Sequence, residues 1–363
     1  MRRLTTRNGL ESIKPYKQGK SEIGGHANPI KLSSNESSFG PCPAALEAIQ
    51  ERAGSVHRYP DGTQSELRQA IAEVFELDIG KIVCGNGSEE LIGLLVRSFI
   101  NPGDEMLLSE NHFVMCPIYG RSQGAEILFA PETDHMMSVD ALLERVNEKT
   151  RLVIVANPNN PTGTYLPRAE IERLHAGLPE DVLLLVDEAY AEYVTVEDYM
   201  SALDMVENYS NVVVTRTFSK IYGLAGLRIG WAYCPKPILE AMQRIRTPFN
   251  ANSLAMAAAA AAVRDTAHVE MVREHTARWQ NVVHNRAAEL GILSPPSVTN
   301  FYLLDFREIA NKSGAEAATF LESRGIIPRP AGSNSSSDFL RITVGLDEEN
   351  KAALSVLAEY MAS

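Results

Sequence analysis

Residues 215–228 read Thr-Arg-Thr-Phe-Ser-Lys-Ile-Tyr-Gly-Leu-Ala-Gly-Leu-Arg. The apolar run Val212-Val213-Val214 leads into them and reads as a buried strand. Beyond it come the hydroxyls of Thr217 and Ser219, one lysine (Lys220), Gly223, Gly226 and Arg228. A lysine at the end of a buried strand carries a desolvation cost unless it has a task there. Neighbouring hydroxyls and a following arginine can form an anion cup. The competing reading is a surface loop with ordinary charges, so the rest of the chain has to decide.

Outward from this stretch the chain shows an α/β rhythm. Strands are expected over Ile82–Cys84, Glu105–Leu108, Glu126–Phe129, Arg151–Ala156, Val182–Val186, Val212–Thr215 and Ile229–Tyr233. Helices are expected over Ala44–Arg52, Ser65–Phe75, Ser88–Phe99 with Ser88 as its cap, Cys116–Gln123, Ser138–Asn147 and Pro167–Ala176. Continuous apolar strands alternating with helices indicate a mainly parallel, seven-stranded sheet covered on both faces. From Pro235 the pattern changes to long helices, Ile238–Arg246, Ser253–Ala262 and His268–Leu290. The alanine-rich run Leu254–Val263 reads as a close-packed core helix. A smaller α+β unit closes the chain, with strands Thr299–Phe306 and Phe339–Val344 and helices Gly314–Arg324 and Glu348–Met361. The expected organisation is an irregular arm (1–30) that packs on something else, a large domain (31–250), and connecting helices with a small C-terminal α+β domain (251–363). Some early residues of the large domain should pack on the small one, and the polar stretch 331–337 reads as a flexible loop.

The chain has 363 residues, 45% of them hydrophobic, which is too long for one core and fits a large and a smaller domain. The formal net charge of −12 argues against nucleic acid or an anionic membrane as partner, while leaving small anionic ligands open. Cys42, Cys84, Cys116 and Cys234 include no C-x-x-C pair, so they read as reduced thiols of a cytoplasmic protein rather than a disulfide or zinc framework. No apolar run follows the basic N-terminus, so no signal peptide is expected. The histidines stand at no metal-ligand spacing, and His26, His57 and His135 read as exposed loop residues.

In a sheet of this kind chemistry collects at the carboxyl ends of the strands. Gly85-Asn86-Gly87-Ser88-Glu89 opens a helix whose backbone N–H groups can hold a phosphate. Asn157-Pro158-Asn159-Asn160-Pro161-Thr162-Gly163 is a rigid polar loop able to fix one amide over a ligand. Asp187-Glu188-Ala189-Tyr190 closes a buried strand with an aspartate that needs a cationic partner, such as a pyridinium N–H, or a hydrogen-bond donor, unless it simply caps a helix, and Tyr190 can donate to a phenolate oxygen. With Lys220 these supply a Schiff-base lysine, a ring partner and a phosphate cup, which is what a pyridoxal phosphate site requires.

The order Asn-Pro-Asn-Asn-Pro-Thr-Gly, Asp-Glu-Ala-Tyr, Ser-Lys and Gly-Leu-Arg resembles the class I/II aminotransferases of pyridoxal phosphate (PLP) fold type I, the aspartate-aminotransferase-like fold, over nearly the whole chain. Within that family Lys14-Pro15-Tyr16, Leu32-Ser33-Ser34-Asn35-Glu36, Arg58-Tyr59-Pro60-Asp61 and Leu340-Arg341-Ile342-Thr343-Val344-Gly345 resemble the branch that acts on histidinol phosphate in histidine biosynthesis. The resemblance implies pyridoxal 5′-phosphate as cofactor, an amino donor and a 2-oxo acid as substrates, and a homodimer with shared active sites. It implies Lys220 as the Schiff-base lysine and general acid/base, Asp187 on the pyridine N–H, Asn160 and Tyr190 on the ring oxygen, and Phe113 stacked on the ring. Gly87, Ser88, Thr217, Ser219 and Arg228 would take the phosphate, joined by Tyr59 from the partner subunit. Arg341 and Arg329 would take substrate anions, with Tyr16, Asn35 and Asn250 lining the substrate end. No metal is implied. An aromatic amino acid aminotransferase, or an enzyme with both activities, shares every catalytic residue. A fold-related phosphothreonine decarboxylase remains a further alternative. A PLP-binding transcriptional regulator would need a DNA-binding domain for which the arm before Leu32 is too short.

Overall fold

The computed structural model describes residues 5–6, 10–331 and 338–363. Its main sheet has seven strands in the order Ile82–Gly85, Gly230–Tyr233, Val212–Thr217, Leu183–Asp187, Thr150–Ala156, Glu105–Ser109 and Glu126–Ala130. Only Gly230–Tyr233 runs antiparallel to its neighbours. The α/β expectation therefore holds, with strand bounds shifted by a residue or two. The central strands are apolar and buried along their lengths, as a sheet covered on both faces demands.

Two apolar cores flank the sheet. One gathers Leu107, Val153, Val155, Leu184, Val186, Val212 and Val214 with the helices Pro43–Ala53, Ser65–Phe75 and Ser253–Arg264. The other takes the alternate side chains Met106, Leu108, Ile154, Leu185 and Val213 with the helices Gly87–Phe99 and Lys236–Ile245. Six of the seven alanines of Ser253–Arg264 are almost fully buried, and the helix packs on Pro43–Ala53, because small side chains let two helices approach closely. A third core belongs to the C-terminal unit. It joins Tyr302, Leu304, Leu340 and Ile342 to Ala317, Leu321, Ala353 and Leu357, and it also takes Leu32. By packing, the change from the first core to the third falls inside the long helix Thr266–Glu289: Val269 and Val272 belong to the first and Trp279 and Val283 to the third.

Several local expectations change. The helix begins at Gly87 with Asn86 as its cap residue, so Ser88 sits in the first turn. The Glu90 carboxylate accepts from the Asn86 backbone N–H at 2.6 Å, leaving the Ser88 hydroxyl without a capping task. The helix expected over 138–147 is confined to Val139–Leu143. Asn147 instead fastens a turn, its backbone N–H donating to Thr150 and its amide to Glu105. Two short strands carried no readable pattern: Ile326–Ile327 pairs parallel with Ile30–Lys31, and Arg329–Ala331 pairs antiparallel with Phe339–Thr343. Residues 332–337 of the expected polar loop lie outside the described residues. The described part of the arm lies on its own chain, with Lys20 paired to Glu322 at 2.6 Å and Arg329 donating to the Lys17 carbonyl at 2.8 Å.

His135 is not an exposed loop histidine. It is buried, and its Nε2 lies 2.9 Å from Asp305 Oδ2. The hairpin Glu132–Thr133/Met136–Met137 carries it from the large unit onto the strand Phe301–Asp305 of the small one. A polar side chain in a short turn gives no sequence hint of a partner so far along the chain. Burial alone would raise the Asp305 carboxyl, but hydrogen bonds from His135 and Arg307 outweigh it and hold the group well below the usual carboxylate range. Because the folded-state pKa is depressed, the stability this carboxylate contributes is present above about pH 4 and lost on acidification. Asp305→Ala should lower unfolding free energy by roughly 1–3 kcal/mol at pH 7. Thermal melts should show the gap between variant and wild type shrinking towards pH 3.

Candidate active site

Strand register brings the chemistry together. Ala156 is level with Asp187, Asp187 with Thr215, Thr217 with Gly230, and Gly230 with Gly85. The carboxyl ends of four parallel strands therefore finish at one height, and the residues just past each strand end face one cavity. That cavity, of about 170 Å³, is lined by Gly87, Ser88, Phe113, Asn160, Asp187, Tyr190, Thr217, Ser219, Lys220 and Arg228. All of these were singled out in the sequence, and the structure brings them together.

Asp187 is buried, and Thr215 donates to its Oδ1 at 2.9 Å. Among the described residues no cation pairs with it. Burial pushes its pKa up to about 6, against the lowering effect of Thr215. Lys220 Nζ donates to the Ser34 carbonyl at 3.3 Å and lies 5.6 Å from the centre of the Tyr190 ring. Burial, aided by the charges of Arg341 and Arg228, lowers its pKa to about 7. The Tyr190 hydroxyl accepts from Asn35 at 2.9 Å and from Asn160 at 3.3 Å, so its own hydrogen is left for a ligand oxygen. Burial pushes that hydroxyl up to about 12, keeping it a donor.

The anion cup is built from backbone as much as side chains. Gly87 has φ +80° and a Cβ there would come within 2.7 Å of Arg228 Nη2. Only glycine gives both the conformation and the close approach. Arg228, itself at φ 54°, donates from Nη1 to Ser219 Oγ at 3.1 Å, and the Ser219 backbone N–H donates to Thr217 Oγ1 at 3.1 Å. The helix N-terminus at Gly87 and the arginine thus face one spot with positive potential.

A second cavity of about 380 Å³ opens from the first, sharing Phe113, Asn160 and Lys220 and adding Tyr16, Asn35, Arg329 and Arg341. Arg341 donates to Asn160 Oδ1 at 2.6 Å and to the Ser33 carbonyl at 3.1 Å, while its buried Nε has no partner. An orphaned guanidinium N–H beside a cavity suits a bound oxyanion.

Two expected residues lie elsewhere. The Asn250 amide is engaged with the Cys84 carbonyl and the Glu90 carboxylate, and its oxygen with Gln64 and Arg246, so the structure does not bring it to the cavity. Tyr59 is 83% exposed and stacks on Phe249 with ring centres 4.7 Å apart, outside both cavities of its own chain. Sequence reading missed the Ser33 and Ser34 carbonyls, since a backbone acceptor has no side-chain signature. It also missed Thr215, which stands on the same strand face as Thr217 and could have been found from the period of two.

Comparison with known proteins agrees with this geometry. The sequence model of the aminotransferase class I and II family matches residues 27–357. The histidinol-phosphate aminotransferase of Paramagnetospirillum magneticum is 46% identical, covering 98% of both chains. That of Rhodopseudomonas palustris (strain HaA2) is 44% identical over 100% of both. The crystal structure of histidinol-phosphate aminotransferase from Sinorhizobium meliloti in complex with pyridoxal-5′-phosphate superposes with a TM-score of 0.85 at 30% identity, covering 92% of each chain. The chain belongs to the class I and II aminotransferases. A Thermus thermophilus aspartate aminotransferase, 21% identical with a TM-score of 0.85, shares the fold.

The depressed Lys220 pKa has a direct consequence. In the ligand-free protein the amine should acylate with a midpoint near pH 7, against about pH 10 for surface lysines. Between these values the folded state holds fewer protons than the unfolded one, so this group makes stability rise with pH. Pulse acylation followed by peptide mass spectrometry reads the midpoint; a midpoint near that of surface lysines would contradict the buried setting.

Proposed function

We propose that the protein transfers an amino group from L-histidinol phosphate to 2-oxoglutarate, giving imidazole-acetol phosphate and glutamate, with pyridoxal 5′-phosphate held in the smaller cavity. The observation that carries this reading is the buried Asp187 carboxylate, without a cation of its own among the described residues, facing a cavity that ends in the Gly87–Arg228 anion cup. A ring bearing a cationic N–H at one end and a phosphate at the other satisfies both. The full-length relatives bear the histidinol-phosphate aminotransferase name.

When bound, the cofactor supplies an electrophilic carbon for the amine and an electron-withdrawing ring. Asp187 would keep that ring's N–H charged, as an ion pair that favours the carboxylate. Asn160 and Tyr190 would donate to the ring oxygen, and Phe113 would cover one face. Gly87, Ser88, Thr217, Ser219 and Arg228 would anchor the phosphate. Lys220, about half of it neutral near pH 7, would be the nucleophile and would remove and return the proton at the substrate Cα. Arg341 serves substrate oxyanions, the phosphate of one substrate and a carboxylate of the other in turn, and Arg329 stands nearby. Tyr16 and Asn35 line the substrate end.

Half-reactions test the substrate. The cofactor absorbance should convert rapidly with histidinol phosphate and glutamate and slowly with phenylalanine, tyrosine or phosphothreonine. Conversion by aromatic amino acids alone would sink the reading, and CO₂ release from phosphothreonine would favour the decarboxylase.

The protein should also be a cytoplasmic homodimer with shared sites. Leu46, Val56, Tyr59 and Phe249 are exposed apolar side chains, and Tyr59 otherwise projects into solvent. Four buried free thiols suit a reducing compartment. Light scattering should give twice the chain mass, and Tyr59→Ala should weaken cofactor binding about tenfold, as expected for loss of one charge-assisted hydrogen bond. A monomer that binds cofactor fully would contradict the shared site.

A further inference from the structure

The side chains lining the substrate cavity are rich in donors. Lys14, Lys17, Arg329 and Arg341 bring only N–H groups to it, while Tyr16, Ser33 and Ser34 bring hydroxyls that both give and accept. The amide oxygens of Asn35 and Asn160 are already engaged by Thr343 and Arg341. His112 brings a different kind of acceptor. Its Nδ1 lies 3.0 Å from the Ser109 carbonyl and 3.1 Å from the Glu110 carbonyl. Both neighbours are pure acceptors, so Nδ1 carries the hydrogen. Burial lowers the ring's pKa, which keeps the imidazole neutral. Nε2 is then a lone-pair acceptor, and among the described residues nothing donates to it. The ring is fixed by a stack on Phe129, with centres 4.8 Å apart and planes 16° apart, and Val114 and Ile118 form apolar walls beside it.

We propose that His112 is a specificity-determining residue whose Nε2 accepts a hydrogen bond from a ring N–H of the amino donor. This rests on the histidinol-phosphate reading and deepens it. An imidazole carries at least one N–H whether neutral or protonated, so the contact survives across its titration. A phenyl ring has no such hydrogen, and it would bury Nε2 unsatisfied in an otherwise apolar wall. Glutamate has no ring; its second carboxylate goes to the cationic side of the cavity, so its half-reaction does not use His112. The residue adjoins Phe113, so one short segment would set both the cover of the cofactor ring and the choice of substrate ring.

The test compares three donors on the cofactor-loaded enzyme: histidinol phosphate, phenylalaninol phosphate and glutamate. Phenylalaninol phosphate keeps the amine and phosphate and lacks the ring N–H. Wild type should prefer histidinol phosphate over it, in kcat/KM of the half-reaction, by at least about tenfold, the usual penalty for an unpaired buried polar group. His112→Phe keeps the stack on Phe129 and should erase that preference while leaving the glutamate half-reaction within about twofold. Equal losses on all three donors, or an unchanged preference, would overturn the proposal while leaving the aminotransferase reading intact. If His112→Phe does not fold, the wild-type comparison alone decides: equal use of the two phosphates overturns the proposal. Failure of wild type to use histidinol phosphate at all would overturn both it and the substrate assignment.

Discussion

The Asp187 carboxylate sits at the dry end of a central strand with one hydroxyl, that of Thr215, as its side-chain donor. An isolated buried carboxylate is costly, and burial raises its pKa towards neutrality. The rest of the site can be understood as the surroundings that make this charge useful. The parallel register sets Thr215 level with it, the neighbouring strand end aims Asn160 across the cavity, and the following turn sends Tyr190 towards the same space. In the proposed reading a cationic ring nitrogen, instead of a side chain, would complete the carboxylate.

Lys220 shows the opposite side of the same physics. Burial disfavours its ammonium form, and the guanidinium groups of Arg341 and Arg228 push in the same direction. Burial therefore lifts an acid and lowers a base until both lie near neutral pH, the condition under which a group can take and give back a proton. The arginines help to lower the pKa of the lysine, and in the proposed reading they would also serve as anion partners. The Asn160 amide ties the two cavities together, since its oxygen accepts from Arg341 while its nitrogen donates to Tyr190.

Most of the large unit was legible in the sequence because its strands are unbroken apolar runs that end in polar residues of unusual type. The strand Val182–Val186 reads as buried, and the Asp187 that closes it calls for a partner. Residues whose partners lie far away in the chain were not legible. His135 reads as a surface histidine until the hairpin carries it to Asp305. Asn250 reads as a pocket residue by analogy of position, yet Cys84, Glu90, Gln64 and Arg246 use its whole amide. The short strand Ile30–Lys31 was legible, but its partner Ile326–Ile327 is too brief for periodicity to reveal, although their pairing joins the chain's beginning to the small unit. The tautomer of His112 is likewise beyond the sequence, since two backbone carbonyls fix it.

Everything in the site turns on Lys220 being the amine that bonds to the cofactor. Loading the protein with pyridoxal 5′-phosphate, reducing with borohydride and mapping the peptides by mass spectrometry tests this directly. A single pyridoxyl-phosphate mass addition on the peptide containing Lys220 is the expected result. Stoichiometric addition on another lysine, with Lys220 unmodified, would contradict it.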